Sequence, residues 1–160
     1  LFLAVQPNKR IFYMAPEQWF GKEVLQAYPD SEADLNAAAR CIALDEWTAC
    51  VFHLMRGVEA ALRKWSDQLG LLLKMPVVDA NWQDILSEAD KALKTLEQQP
   101  KSPQRNEDLE YFGDTAAQFR AIKNAWRNHV AHSKRSYDER DAVEIMQHVA
   151  TFMRKLARRM

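Results

Sequence analysis

Trp47, Val51, Leu54, Val58, Leu62, Trp65 and Leu69 recur at spacings of three and four without a break, which is the repeat of a helix with one apolar face. A strand alternates its side chains with period two and cannot gather these residues on one side. Cys50, Met55 and Ala61 widen the stripe, so a helix from about Asp45 to Leu69 is predicted to have neighbours on two sides and a central place in the fold. Gly70 supplies its stop, and Pro76 falls in the loop beyond.

The same repeat continues elsewhere. From Ser31, Leu35, Ala38, Ala39 and Ile42 follow at helical spacing, with Ser31 and Asp34 placed like a variant capping box. Asp79 or Asn81 opens a helix carrying Trp82, Ile85, Leu86, Ala89, Leu93 and Leu96, which Pro100 and Pro103 close. Another is predicted from about Glu107 to His132 on Leu109, Phe112, Ala116, Phe119, Ile122, Trp126 and Val130. Ser133 to Ser136 read as a polar turn, after which Ser136 and Glu139 form a capping box for a last helix on Ala142, Ile145, Val149, Phe152 and Leu156. The expectation is all-α: an antiparallel bundle of about four or five helices over residues 31–160, read as one domain. Residues 1–30 are less regular. The apolar runs Phe2 to Val5 and Ile11 to Met14 suggest a short irregular or hairpin-like N-terminal arm.

Length and composition agree with one globular domain. The chain has 160 residues, 48% apolar and 28% charged, with only four glycines and six prolines. Lys plus Arg and Asp plus Glu number 22 each, so overall charge gives no warrant for nucleic-acid binding and only local clustering can. Arg127, Lys134, Arg135, Arg140, Arg154, Lys155, Arg158 and Arg159 concentrate positive charge near the C-terminus. Asp30, Glu32, Asp34, Asp45 and Glu46 make an earlier stretch acidic. Two cysteines, Cys41 and Cys50, make neither a disulfide framework nor a zinc set and read as small core residues. No metal and no cofactor is expected. Met55, Met146 and Met153 read as gap-fillers, and Trp47, Trp65, Trp82 and Trp126 as core residues, with Trp19 in the arm as the exception. The opening LFLAV is too short to span a bilayer and has no leader pattern, so no membrane association and a cytoplasmic location are expected. The absence of an initiator Met suggests that a few residues precede Leu1.

Chemically capable residues crowd in one place, Trp126-Arg127-Asn128-His129-Val130-Ala131-His132. With Trp126 and Val130 facing the core, Arg127, Asn128 and His132 point outward. A histidine titrates near neutral pH and suits acid and base work, while a guanidinium suits phosphate. RNA carries its own nucleophile, the 2′-hydroxyl, so a base, an acid and a cation over the phosphate suffice to cut it without a metal.

Arg127-Asn128-x-x-x-His132 resembles the Arg-x(4 to 6)-His motif of the HEPN superfamily of helical ribonuclease and nucleotide-binding domains, in which a polar residue commonly follows the Arg. The resemblance in topology covers roughly residues 31–160. It implies a metal-independent endoribonuclease with Arg127 and His132 catalytic and Asn128 supporting them. It also implies RNA as substrate, a homodimer whose two motifs face one cleft, and a setting as toxin or defence effector with an antitoxin or regulatory protein as partner. On an ideal helix Arg127 and His132 stand about 140° apart, so their convergence needs a distorted last turn or a second subunit. His53, Arg56 and Glu59, on the less apolar side of the long helix, are candidates for a second wall of that cleft; the alternative is surface pairing of Arg56 with Glu59 and of Glu59 with Arg63. The rival to catalysis is a noncatalytic helical interaction or nucleotide-binding module that dimerises or docks a partner protein.

Overall fold

The computed structural model describes residues 5–132 and 136–159. Among them every regular element is helical. They fall into two compact units, one made of the chain before Leu62 together with the chain from Trp126 on, the other of Leu62–Ala125. The sequence drew no such line within residues 31–160.

The first unit begins with α1 (Arg10–Met14) and α2 (Lys22–Ala27), where the sequence suggested an irregular or hairpin-like arm. Prolines explain the difference from a hairpin: Pro7, Pro16 and Pro29 each open a short 3-10 turn, the position at which a fixed φ and a missing N–H cost nothing. Phe20, Val24 and Tyr28 are buried, so residues 5–30 contribute to this unit's core. Helix α3 (Glu32–Ala43) packs against α1, and α2 and α3 both pack against the terminal helix, here α8 (Glu139–Ala157). Leu35, Ala38, Ala39 and Ile42 of α3 and Ala142, Ile145, Val149, Phe152 and Leu156 of α8 are buried as the stripes predict.

Between α3 and α4 (Trp47–Gln68) the chain turns through Asp45 at φ 62°, a left-handed conformation that Asp tolerates better than most residues. The Asp45 N–H donates to the Ile42 carbonyl and the Glu46 N–H to the Cys41 carbonyl, the paired bonds of a Schellman ending. At the other end of α4 the same motif forms around Gly70, at φ 68°, with bonds to Asp67 and Ser66, as the stop there required. Near the middle of α4, Gly57 accepts a hydrogen bond at its carbonyl from Ser31 Oγ at 2.8 Å. The Ser31 hydroxyl therefore ties α3 to α4; it makes no cap bond, contrary to the capping-box expectation.

The second unit consists of the end of α4, α5 (Trp82–Glu97) and α6 (Pro103–Ile122). Asn81 caps α5, its side-chain oxygen accepting from the Gln83 and Asp84 N–H groups at 2.8 and 3.0 Å. Helix α6 starts four residues earlier than Glu107, because Ser102 caps it and Pro103 occupies the first turn; proline there begins a helix as readily as it ends one. Arg105 bonds the Leu96 and Glu97 carbonyls at the end of α5, while Arg120 and Lys123 reach Asp90 and Gln83 toward its start, so α5 and α6 run antiparallel. Their core is aromatic. Trp65 lies 5.4 Å from Phe119 and 6.1 Å from Phe112 between ring centroids, and Trp82 meets Phe119 edge-on at 6.1 Å. Each such burial contributes roughly 1.5–3 kcal/mol.

Candidate functional site

Helix α6 does not continue as an α-helix to His132. Lys123–Arg127 form a π-helical segment, followed by the single α-turn α7 (Asn128–Ala131). A π segment takes in an extra residue and is found often at functional positions. His132 then ends α7 at φ −106° and ψ 15°, near the sparsely populated bridge region. The helix end bearing the motif is thus distorted on one side, where Arg127 is the last residue of the π segment, and α7 simply ends at His132.

Val130 is buried, as its outward neighbours require. His132 is exposed, while Arg127, Asn128 and His129 are half-buried. Among the described residues, the side chains of Arg127, Asn128 and His132 make no hydrogen bond or ion pair. The structure therefore places the three along one short stretch without joining them to one another. Trp126, expected in the core, is half-buried and meets the exposed His148 of α8 edge-on at 5.0 Å; membership of the π segment takes it off the stripe.

After His132 the chain returns to the start of α4. The predicted turn at Ser133–Ser136 lies, up to Arg135, outside the described residues. Tyr137 is buried, and its N–H donates to Thr48 Oγ1 at 3.0 Å. Asp138, rather than Ser136, caps α8, accepting from the Asp141 N–H at 2.8 Å. Lys9 secures this junction. Its ammonium is 2.5 Å from Asp45, 2.8 Å from Glu139 and 4.5 Å above the Trp47 ring. Hydrogen bonds to Asp45 and then Glu139 raise the Lys9 pKa above its ordinary value of 10.5, with burial opposing them. Trp47 is accordingly half-buried beneath a lysine, where the stripe predicted a core residue. Nothing in the local sequence marks Lys9 for this role.

A second polar group forms between α3 and α4. Asp34, largely buried, accepts from Arg56 Nε at 2.9 and 3.0 Å and lies 2.8 Å from His53 Nδ1. The sequence marks His53 and Arg56 only as candidates for a second wall of the Arg127 cleft and Asp34 as a capping residue, whereas here all three are joined to one another. Arg56 turns to Asp34 through Nε, where pairing with Glu59 was the alternative expectation; Glu59 itself is half-buried. No hydrogen bond or ion pair among the described residues joins this group to Arg127, Asn128 or His132.

Other chemistry is sparse. Burial pushes the thiol pKa of both Cys50 and the half-buried Cys41 upward, away from nucleophilic reactivity. Trp19 stacks on Phe12 at 4.3 Å and accepts a hydrogen bond from Arg154 at its carbonyl, tying the first residues to α8. An open cleft of about 460 Å³ in the second unit, beside Leu71, Lys91, Leu96 and Phe112, gathers no histidine, cysteine or serine. Among the described residues no three His, Cys, Asp or Glu side chains converge as metal ligands, and no helix is long and apolar enough to cross a membrane.

Comparison of the chain with family models, with curated proteins and with solved structures produced no match.

Proposed function

We propose that this chain is a metal-independent endoribonuclease of the HEPN type, acting as a homodimer. The observation that carries the reading is the helix end itself. Arg127, the last residue of a π segment, and His132 bracket one α-turn, and neither side chain is engaged by the described residues. With no protein partner among the described residues, the exposed His132 imidazole and the half-buried Arg127 guanidinium are both available to a substrate phosphate.

In the proposed reaction the RNA 2′-oxygen attacks the adjacent phosphorus, its proton passing to His132, as the bond from phosphorus to the 5′-oxygen breaks. The leaving oxygen takes a proton from His132 of a second copy, and the products are a 2′,3′-cyclic phosphate and a 5′-hydroxyl. Arg127 holds the phosphate and stabilises the charge that grows on its oxygens. Asn128, next in sequence, supports the phosphate or the guanidinium. Because the nucleophile is internal to the substrate, an oligonucleotide with a single deoxy position is the sharpest test. Cleavage should vanish at that position alone, and cleavage that persists there would refute the mechanism.

A second reading, a noncatalytic module that docks a partner such as an antitoxin, draws its support from α1, where Ile11, Tyr13 and Met14 are exposed. It predicts partner binding that depends on these side chains, with no RNA cleavage.

A further inference from the structure

We infer that Asp34, His53 and Arg56 form a binding site for a phosphoryl group, separate from the Arg127–His132 helix end. Asp34 is the anchor: one carboxylate, 17% exposed, holds both an imidazole and a guanidinium. A bridge serving only to tie α3 to α4 needs one cation, and the Ser31–Gly57 hydrogen bond already supplies a buried tie between the same helices.

The atoms left over carry the inference. A carboxylate can only accept, so His53 donates its Nδ1–H to Asp34 and presents Nε2 on the opposite edge of the ring. Arg56 spends only Nε on Asp34, which leaves both terminal nitrogens as donors. Neither Nε2 of His53 nor these terminal nitrogens bonds any described residue. Three residues apart on α4, the two side chains share a face. The two terminal nitrogens of Arg56 leave four free N–H donors around one anchor, the arrangement that suits a tetrahedral oxyanion with several acceptor oxygens. Asp34 fixes both side chains beforehand, so less rotamer entropy is lost when the anion arrives.

Phe52 completes the surroundings. It is 44% exposed, its ring 5.9 Å from that of His53 and 6.0 Å from the Arg56 guanidinium. An apolar wall beside the donors thins the water around them, which strengthens a charge-assisted bond. Asp34 and Arg56 form one ion pair, so the group has no unpaired carboxylate to hold a cation, and the unspent guanidinium N–H groups favour a phosphate ester.

The inference does not rest on the ribonuclease reading and is tested without it. The chain, labelled with nitrogen-15 at histidine, is titrated with inorganic phosphate and separately with 5′-AMP. The His53 signals are assigned by their absence in His53→Gln. The expected result is a saturable shift at His53, weakened by roughly tenfold or more in Arg56→Ala, the loss of one charge-assisted contact, and unchanged in Arg127→Ala. Equal affinity for the two probes identifies the bare phosphoryl group as the ligand, and tighter binding of 5′-AMP that Phe52→Ala reduces to the affinity for phosphate identifies a nucleotide. No shift at His53, a shift that Arg56→Ala leaves intact, or one that Arg127→Ala abolishes would overturn the assignment.

Discussion

Two glycines inside helices should respond to alanine with opposite signs. At Gly57 in α4, an added Cβ would lie 2.8 Å from Leu35 Cδ2 and 3.1 Å from its Cγ, and Leu35 is fully buried. At Gly113 in α6 nothing lies within 4 Å. Both positions gain helix propensity on changing to alanine, about 1 kcal/mol. Gly113→Ala keeps this gain, so it should stabilise by about 0.5–1 kcal/mol. Gly57→Ala must also displace Leu35 in a packed core, which costs about 1–3 kcal/mol, and the balance is a loss of about 1 kcal/mol. For a chain of this length each kcal/mol moves Tm by roughly 2–4 °C. Urea and thermal unfolding followed by circular dichroism measure both variants. Leu35→Ala combined with Gly57→Ala should cost less than the two single changes added together, because the smaller side chain vacates the colliding space. A Gly57→Ala protein as stable as Gly113→Ala would refute the close approach of α3 to α4.

Lys9→Met should destabilise the chain at neutral pH by about 1–2 kcal/mol, a modest figure because Asp45 and Glu139 remain half in water. The pKa of Lys9 is higher folded than its ordinary value of 10.5, so its contribution is fully present below that pH and fades as pH rises through the folded value. Urea unfolding in a pH series should show wild type and Lys9→Met converging on the alkaline side, and a constant gap would contradict this. Asn81→Ala should cost about 1 kcal/mol by exposing two N–H groups at the start of α5, read from the urea midpoint; an unchanged midpoint would mean that the cap contributes nothing.

The elements most legible in the sequence are those with one largely buried face, although in α5 the far end of the stripe, Leu93 and Leu96, is only half-buried. The α3, α5 and α8 stripes, the Asn81 start and the Gly70 stop follow from spacing and backbone chemistry alone. Ser102-Pro103 shows the limit, since the same proline can close the helix before it or open the one after. Ser31 and Asp34 show another: three residues apart they imitate a capping pair, yet each reaches across to α4, a partner that spacing cannot reveal. Trp47 and Trp126 fall on perfect stripes and are still half-buried, one under Lys9 and the other in the π segment. That segment has no signature in its own five residues. Of the candidate site, the residue types were readable from the sequence; Arg127 and Asn128, expected to point outward, are half-buried while His132 is exposed, and the π segment before α7 and the Asp34 anchor required the fold.

The proposed metal-independent ribonuclease site at the α7 end is tested by incubating cellular RNA with purified protein in EDTA, wild type beside His132→Ala. His132 is exposed and unengaged by the described residues, so both proteins should give the same circular dichroism spectrum and melting curve. Wild type should cleave the RNA and the variant should not. Equal cleavage by the two folded proteins, or none by wild type, would contradict the proposal.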